Sequence, residues 1–126
     1  MTLVDTDVII WYMRGNPRAA DALERVDKFS ISAVTYMELI EGMRNKREAQ
    51  TLRTTLAQWR CSILPIDSAV SNQAMFYVEQ YFHTSSLRLA DALIGATAII
   101  HNIPLLTANA KHYKVLTELT VRRFRP

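Results

Sequence analysis

The amino-acid sequence predicts an α/β domain, a central, mostly parallel sheet flanked by helices on both faces. Two observations point there. Short strand-like runs alternate with helix-like segments along the chain, the order that builds right-handed crossovers between parallel strands. The length of 126 residues, 49% of them hydrophobic and 21% charged, suits one domain over residues 1–126 with a continuous core that needs no disulfide or metal to hold it. No internal repeat, low-complexity tract or long Gly/Pro linker divides it.

Leu3 to Asp5 reads as the end of a buried strand and Asp7 to Met13 as a helix, with Asp5, Thr6 or Asp7 placed to cap its free N–H groups. Gly15, Asn16 and Pro17 break the chain, and Pro17 can open a helix over Arg18 to Val26. Phe29 to Ser32 is a second short strand. The spacing of Val34, Met37 and Ile40 predicts a helix over Ala33–Arg44, followed by another at Glu48–Trp59. Ser62 to Pro65 is expected as a strand, Ser68–Phe82 as a helix, Leu87–Asn102 as an apolar helix and Pro104 to Thr107 as a further strand. Leu119 to Phe124 is expected as a last, edge strand. Functional groups in such sheets gather beyond the carboxyl ends of the strands, and Asp5 and Asn109 both fall there.

Net charge is +3. Lys111, Lys114, Arg122, Arg123 and Arg125 crowd the end of the chain, and Arg44, Lys46 and Arg47 form a second group. Such clusters suit a polyanion such as nucleic acid; an ordinary solvated surface explains them as readily. The longest apolar run, Leu89 to Ile100, is too short to cross a bilayer and contains Asp91. With no basic leader or cleavage site at the N-terminus, the expected location is cytoplasmic, away from membranes. The single cysteine, Cys61, fits a reducing compartment and reads as a small core residue.

In "LVDTDVIIW" two carboxylates, Asp5 and Asp7, interrupt an otherwise apolar run. Burying an unpaired charge is costly, so such groups need a partner. In "LRLADALIGATAII", Asp91 shares a helical face with Leu87, Ile94, Gly95 and Ala98, an apolar face that points inward. A backbone N–H, an arginine or a helix starting later than Leu87 would account for it without function. Glu38, in "SAVTYMELIEGM", repeats the arrangement between Val34 and Gly42, but alone it is also a surface residue bordering the apolar stripe, as Glu41 is. Asp5 and Asp7 alone can be helix caps; Asn109 and Thr107, in "PLLTANAKHY", can be turn residues. His112, beside Tyr113, reads as a surface or packing residue, and the lack of a second ligand at the right spacing argues against zinc.

As a set, two strand ends and two helices each offer one oxygen-bearing side chain: Asp5, Glu38, Asp91 and Asn109. If the three acids met within ~4 Å, each pair would repel by about 4 kcal/mol at an effective dielectric of ~20. Protons or cations would have to neutralise them. An all-oxygen set with free positions suits Mg²⁺ or Mn²⁺, which keeps waters and takes substrate phosphate, so the chemistry expected is phosphodiester hydrolysis.

Four blocks, "VDTD", "SAVTYMELIEG", "RLADALIGATA" and "LLTANAKHY", stand in order over residues 2 to 113. In this the sequence resembles PIN-domain nucleases, and among them the VapC-type toxins of toxin–antitoxin systems. The resemblance implies a PIN-like three-layer fold and an Mg²⁺- or Mn²⁺-dependent endoribonuclease, with Asp5, Glu38 and Asp91 as metal-site acids and Asn109 at the fourth position. It also implies a homodimer held inactive by a cognate antitoxin, with RNA as substrate. Asn109 stands where a carboxylate is common in the family, and Asp7 where Asn or Ser is usual. A haloacid-dehalogenase-like phosphatase, with Asp5 as nucleophile and Asp7 as acid, is the rival enzyme; it requires a later Lys and an acidic pair after a strand, and Ile63–Asp67 and Leu105–Asn109 supply no such pair. A non-catalytic PIN-like module that binds RNA or protein is the third reading, opposed by the retention of all three acids. Trp11, Tyr12 and Trp59 are candidates for a dimer or antitoxin surface, or for the core.

Overall fold

The computed structural model describes residues 1–126. Five strands form one sheet: β1 (Thr2–Val4), β2 (Phe29–Ser32), β3 (Ser62–Leu64), β4 (Leu105–Thr107) and β5 (Val121–Arg123), in the order β3-β2-β1-β4-β5. Every neighbouring pair is parallel, so the sheet predicted as mostly parallel is wholly so, and β5 takes the edge. Six helices complete the fold: α1 (Thr6–Met13), α2 (Pro17–Arg25), α3 (Ala33–Glu41), α4 (Lys46–Gln58), α5 (Ser68–Tyr81) and α6 (Leu89–Ile100).

Alternation along each strand sends successive side chains to opposite faces, and the core divides accordingly. Leu3 and Leu105 join Val70, Ala74, Ile94 and Ala98 beneath α5 and α6. Val4 and Leu106 join Val8, Leu23, Leu52 and Leu56 beneath α1, α2 and α4. Helices, sheet and helices make three layers. No helix is long and apolar enough to cross a membrane.

Caps explain where helix bounds depart from the predicted ones. The third helix stops at Glu41, short of Arg44, because Gly42 ends it, its N–H donating to Glu38 O at 3.1 Å. The fourth starts at Lys46 because Asn45 Oδ1 accepts the Glu48 N–H at 2.9 Å. The sixth starts at Leu89 rather than Leu87: Asp91 Oδ2 accepts the Arg88 N–H at 3.0 Å, a carboxylate in the first turn reaching back to the cap residue. Leu87 therefore lies before the helix, while Ile94, Gly95 and Ala98 are buried as expected. A 3-10 turn over Ala110–Tyr113, unpredicted, links β4 to the β5 segment.

Gly95 lets α6 approach that turn. A Cβ at this position would lie 2.6 Å from Leu116 Cδ1 and 3.6 Å from Tyr113 Cδ1, and Leu116 and Tyr113 are themselves buried. Gly95→Ala is expected to cost ~1–3 kcal/mol by overpacking, read as a lower denaturant midpoint with an unchanged m-value.

The chain begins at central β1, moves out through β2 and β3, then crosses to β4 and β5 on the other side. The direction of winding reverses between β1 and β4, and the crevice at the carboxyl ends of those two strands is where such folds bind ligands.

Candidate active site

Asp5 leaves β1 directly into that crevice. Its N–H donates to Leu106 O at 2.9 Å, and its side chain caps α1, Oδ1 accepting the Thr6 N–H at 2.8 Å. The other carboxylate oxygen, Oδ2, accepts from the Thr107 hydroxyl at 2.7 Å and the Tyr113 phenol at 2.9 Å. Asp5 is 6% exposed. Burial raises its pKa and the charge of Asp91 adds to the rise, while the donors Thr107, Tyr113 and Thr6 pull it down. Burial also pushes the Tyr113 phenol up, helped by the charges of Asp5 and Asp91, so its hydroxyl keeps its proton and stays a donor.

Asp7 does not cap the helix. Its Oδ2 accepts the Ala108 N–H at 3.1 Å and the Asn109 amide Nδ2 at 2.8 Å, and its Oδ1 is buried without a hydrogen-bond partner. Burial, and after it the charge of Asp5, pushes the Asp7 carboxyl up to about 7. The Asn109 N–H donates to Thr107 Oγ1 at 3.0 Å. The segment after β4 is thereby fastened to the first turn of α1, across roughly the whole sequence.

Glu38 projects from α3 at the exposed rim, its Oε1 accepting from the Thr6 hydroxyl at 2.7 Å; that hydroxyl lies 2.9 Å from Thr35 Oγ1. Asp91, part-buried at the start of α6, lies 3.6 Å from His112 Nδ1 in addition to its bond from Arg88. Neither Asp5 nor Asp91 pairs with an Arg or Lys. Glu41 is exposed and takes no part in these bonds.

Asp5, Asp7, Thr107, Asn109 and Tyr113 are thus one hydrogen-bonded group, with the Asp91 charge felt by Asp5 and Tyr113, and Glu38 joined through Thr6. The tight cluster of three acids entertained from sequence does not form: no three His, Cys, Asp or Glu side chains make a ready-made metal cage. Glu38 turns to Thr6, and Asp91 to the N-terminus of its own helix. The donor set still fits a hard cation. Mg²⁺ is commonly held by one or two carboxylates, waters and substrate phosphate rather than by an all-protein cage. Buried Asp5, raised in pKa and without a cationic partner, and the unpartnered Asp7 Oδ1 mark a site short of positive charge.

Sequence reasoning passed over Tyr113, noted only as the neighbour of His112, and Thr6, taken only as a cap. Tyr113 is fully buried, and its one polar atom meets Asp5. The signal available was a polar aromatic just beyond a strand end. Tyr12, Trp11 and Trp59 are half-buried rather than free. Tyr12 and Trp59 pack edge to face at 5.8 Å, and both line a cleft of about 360 Å³ between α1, α2 and α4.

The PIN-domain model matches residues 2–116. The chain belongs to the PIN-domain family. Among PIN-domain relatives, Ribonuclease VapC10 of Mycobacterium tuberculosis is 33% identical over 123 residues, 94% of this chain and 90% of that protein. Ribonuclease VapC1 of Methanocaldococcus jannaschii is 31% identical over 121 residues, 95% of this chain and 84% of the relative. A toxin–antitoxin complex from Klebsiella pneumoniae contains a chain of the same fold, 28% identical with a TM-score of 0.80, covering 95% of this chain and 96% of that one. Membership of the PIN family sets aside the phosphatase reading, and Asp7, turned onto Ala108 and Asn109, is not free to serve as its acid.

Proposed function

We propose that this PIN-domain protein is an endoribonuclease that hydrolyses RNA phosphodiester bonds with Mg²⁺ or Mn²⁺, the toxin of a pair whose antitoxin silences it. The observation that carries the reading is Asp5: a buried carboxylate at the reversal point of the sheet, oriented by Thr107 and Tyr113, paired with no basic side chain, and with the charge of Asp91, which meets no Arg or Lys, felt beside it. The relatives named as VapC ribonucleases support the activity, and the toxin–antitoxin neighbour supports the pairing with an antitoxin.

In this reading Asp5 and Asp91 would hold the cation, with Glu38 standing at the rim beside them. Thr107 and Tyr113 fix the rotamer of Asp5; Thr6 fixes that of Glu38. Asp7 clamps Asn109 so that the rim does not drift from the acids. When bound, the cation neutralises the scissile phosphate and acidifies an attacking water. The attack forms a new P–O bond from water as the bond to the leaving ribose oxygen breaks. The ribose 2′-OH takes no part, unlike in nucleases that cut by internal transesterification. The homodimer implied by the sequence resemblance belongs to this reading too.

The test follows from that distinction. Structured RNA is expected to be cut with Mg²⁺ or Mn²⁺, to survive in excess chelator, and to be cut still when the nucleotide at the scissile position carries 2′-H. Cutting that persists in chelator, or that stops with 2′-H, would refute the mechanism.

A further inference from the structure

We propose that a rigid basic band beside the acids, running from the 3-10 turn over the β5 edge to α2, is a docking surface for the RNA backbone away from the cut. It rests on the ribonuclease reading. Lys111, Lys114 and Arg123 line one surface hollow, and Arg123, Arg125, Arg18 and Arg25 the adjoining one. Against these six cations stands one carboxylate, Asp21. All six are exposed, and none pairs with a side-chain carboxylate. Arg44, by contrast, is held by Glu48 at 2.7 Å. A band of unpaired positive charge is what phosphate contacts need.

Sheet register places the band relative to the chemistry. Val4 pairs with Leu106, so Asp5 and Thr107 stand at the next positions, and Thr107 pairs with Arg123. Asp5, Thr107 and Arg123 form one row across β1, β4 and β5, about 10 Å long at ~4.8 Å per strand. A row of that length spans only a short stretch of nucleic-acid backbone, so Arg123 meets the backbone close to the scissile phosphate and the α2 arginines meet it further out.

The band is built into the fold rather than carried on a loose tail. The Phe124 N–H donates to Thr107 O at 2.8 Å and its ring is buried, while Arg18 Nη1 donates to Pro126 O at 3.4 Å. The one aromatic side chain at the two hollows besides Phe124 is Tyr113, also buried. With no exposed ring for a base to stack on, the surface reads phosphates and not sequence.

The experiment measures binding of bulk tRNA against salt in an Asp91→Asn background, which keeps the RNA whole. Arg18→Gln, Arg123→Gln and Arg125→Gln together are expected to reduce the slope of log affinity on log salt by about 2, three contacts at ~0.7 each, and to weaken binding ~10-fold or more at low salt. Arg53→Glu and Arg60→Gln together, an equal loss of charge on exposed residues of α4 and its end that lie outside both basic groups, are expected to leave the slope unchanged. Equal losses from the two sets, or none from the band triple, would overturn the proposal. So would an unchanged slope on tRNA with lost binding of poly-glutamate, which would assign the band to an acidic protein. A parent protein that fails to cut tRNA, while the Asp91→Asn form binds it through the band, would refute the nuclease reading alone.

Discussion

Asp91→Asn is expected to lower the single-turnover rate of RNA cleavage by about 10³-fold or more while leaving the fold intact. The carboxylate is one of two assigned to the cation, whose contribution to the transition state is several kcal/mol, and each ~1.4 kcal/mol is tenfold in rate. Asparagine keeps an oxygen where Asp91 Oδ2 accepts the Arg88 N–H, so the cap survives and stability shifts by less than ~1 kcal/mol. Asp91→Ala loses the cap as well and should cost about 1 kcal/mol in denaturant unfolding. The pair of variants separates chemistry from structure: both lose cleavage, and one loses stability. Wild-type cleavage by Asp91→Asn would confine the residue to helix capping.

The second large effect is on stability. In the cation-free protein the Asp7 carboxyl is pushed from 3.8 up to about 7, and Asp5 is raised too. The folded state therefore binds these protons more tightly than the unfolded chain. The stability they contribute is fully present below the unfolded value near 3.8 and is lost as pH rises, for Asp7 through about 7. The gap corresponds to at most ~4 kcal/mol, and to ~2 kcal/mol once water around this part-exposed carboxyl is allowed for. Thermal melts in chelator are expected to show Asp7→Asn as progressively more stable than wild type between pH 4 and pH 8, reaching roughly 5–10 °C. Asp5→Asn should behave likewise at pH 8 and lose cleavage, a stability gain at the expense of function. Added Mg²⁺ should raise the wild-type melting temperature more at pH 8 than at pH 5. An Asp7→Asn curve parallel to the wild-type one at every pH would refute this account of the carboxyl.

Much of this was legible in the sequence because strands and helices here follow local rules. Phe29–Ser32 falls at its predicted place, since four residues buried between helices leave little freedom in register. Asp5 and Asn109 were placed by topology alone, at strand ends where the winding reverses. What stayed hidden depends on contacts between distant segments. Tyr113 lies in a 3-10 turn, which has no hydrophobic period to read, and meets Asp5 over 108 residues of separation. Asp7 looked like a cap because its true partners, Ala108 and Asn109, come from the far end of the chain. The exposure of Glu38 was open in the sequence, which allowed both an inward and a surface position. Helical spacing put it near an inward stripe, whereas its carboxylate sits at the rim and reaches the crevice through Thr6.

The central claim is that Asp5 and Asp91 hold a divalent cation which relieves the buried charge of Asp5 and its repulsion by Asp91. Calorimetric titration of Mn²⁺ into the protein at pH 8 tests it without RNA or turnover. One site on wild type, absent from Asp5→Asn and from Asp91→Asn, is the result expected. Equal Mn²⁺ binding by all three proteins would contradict it.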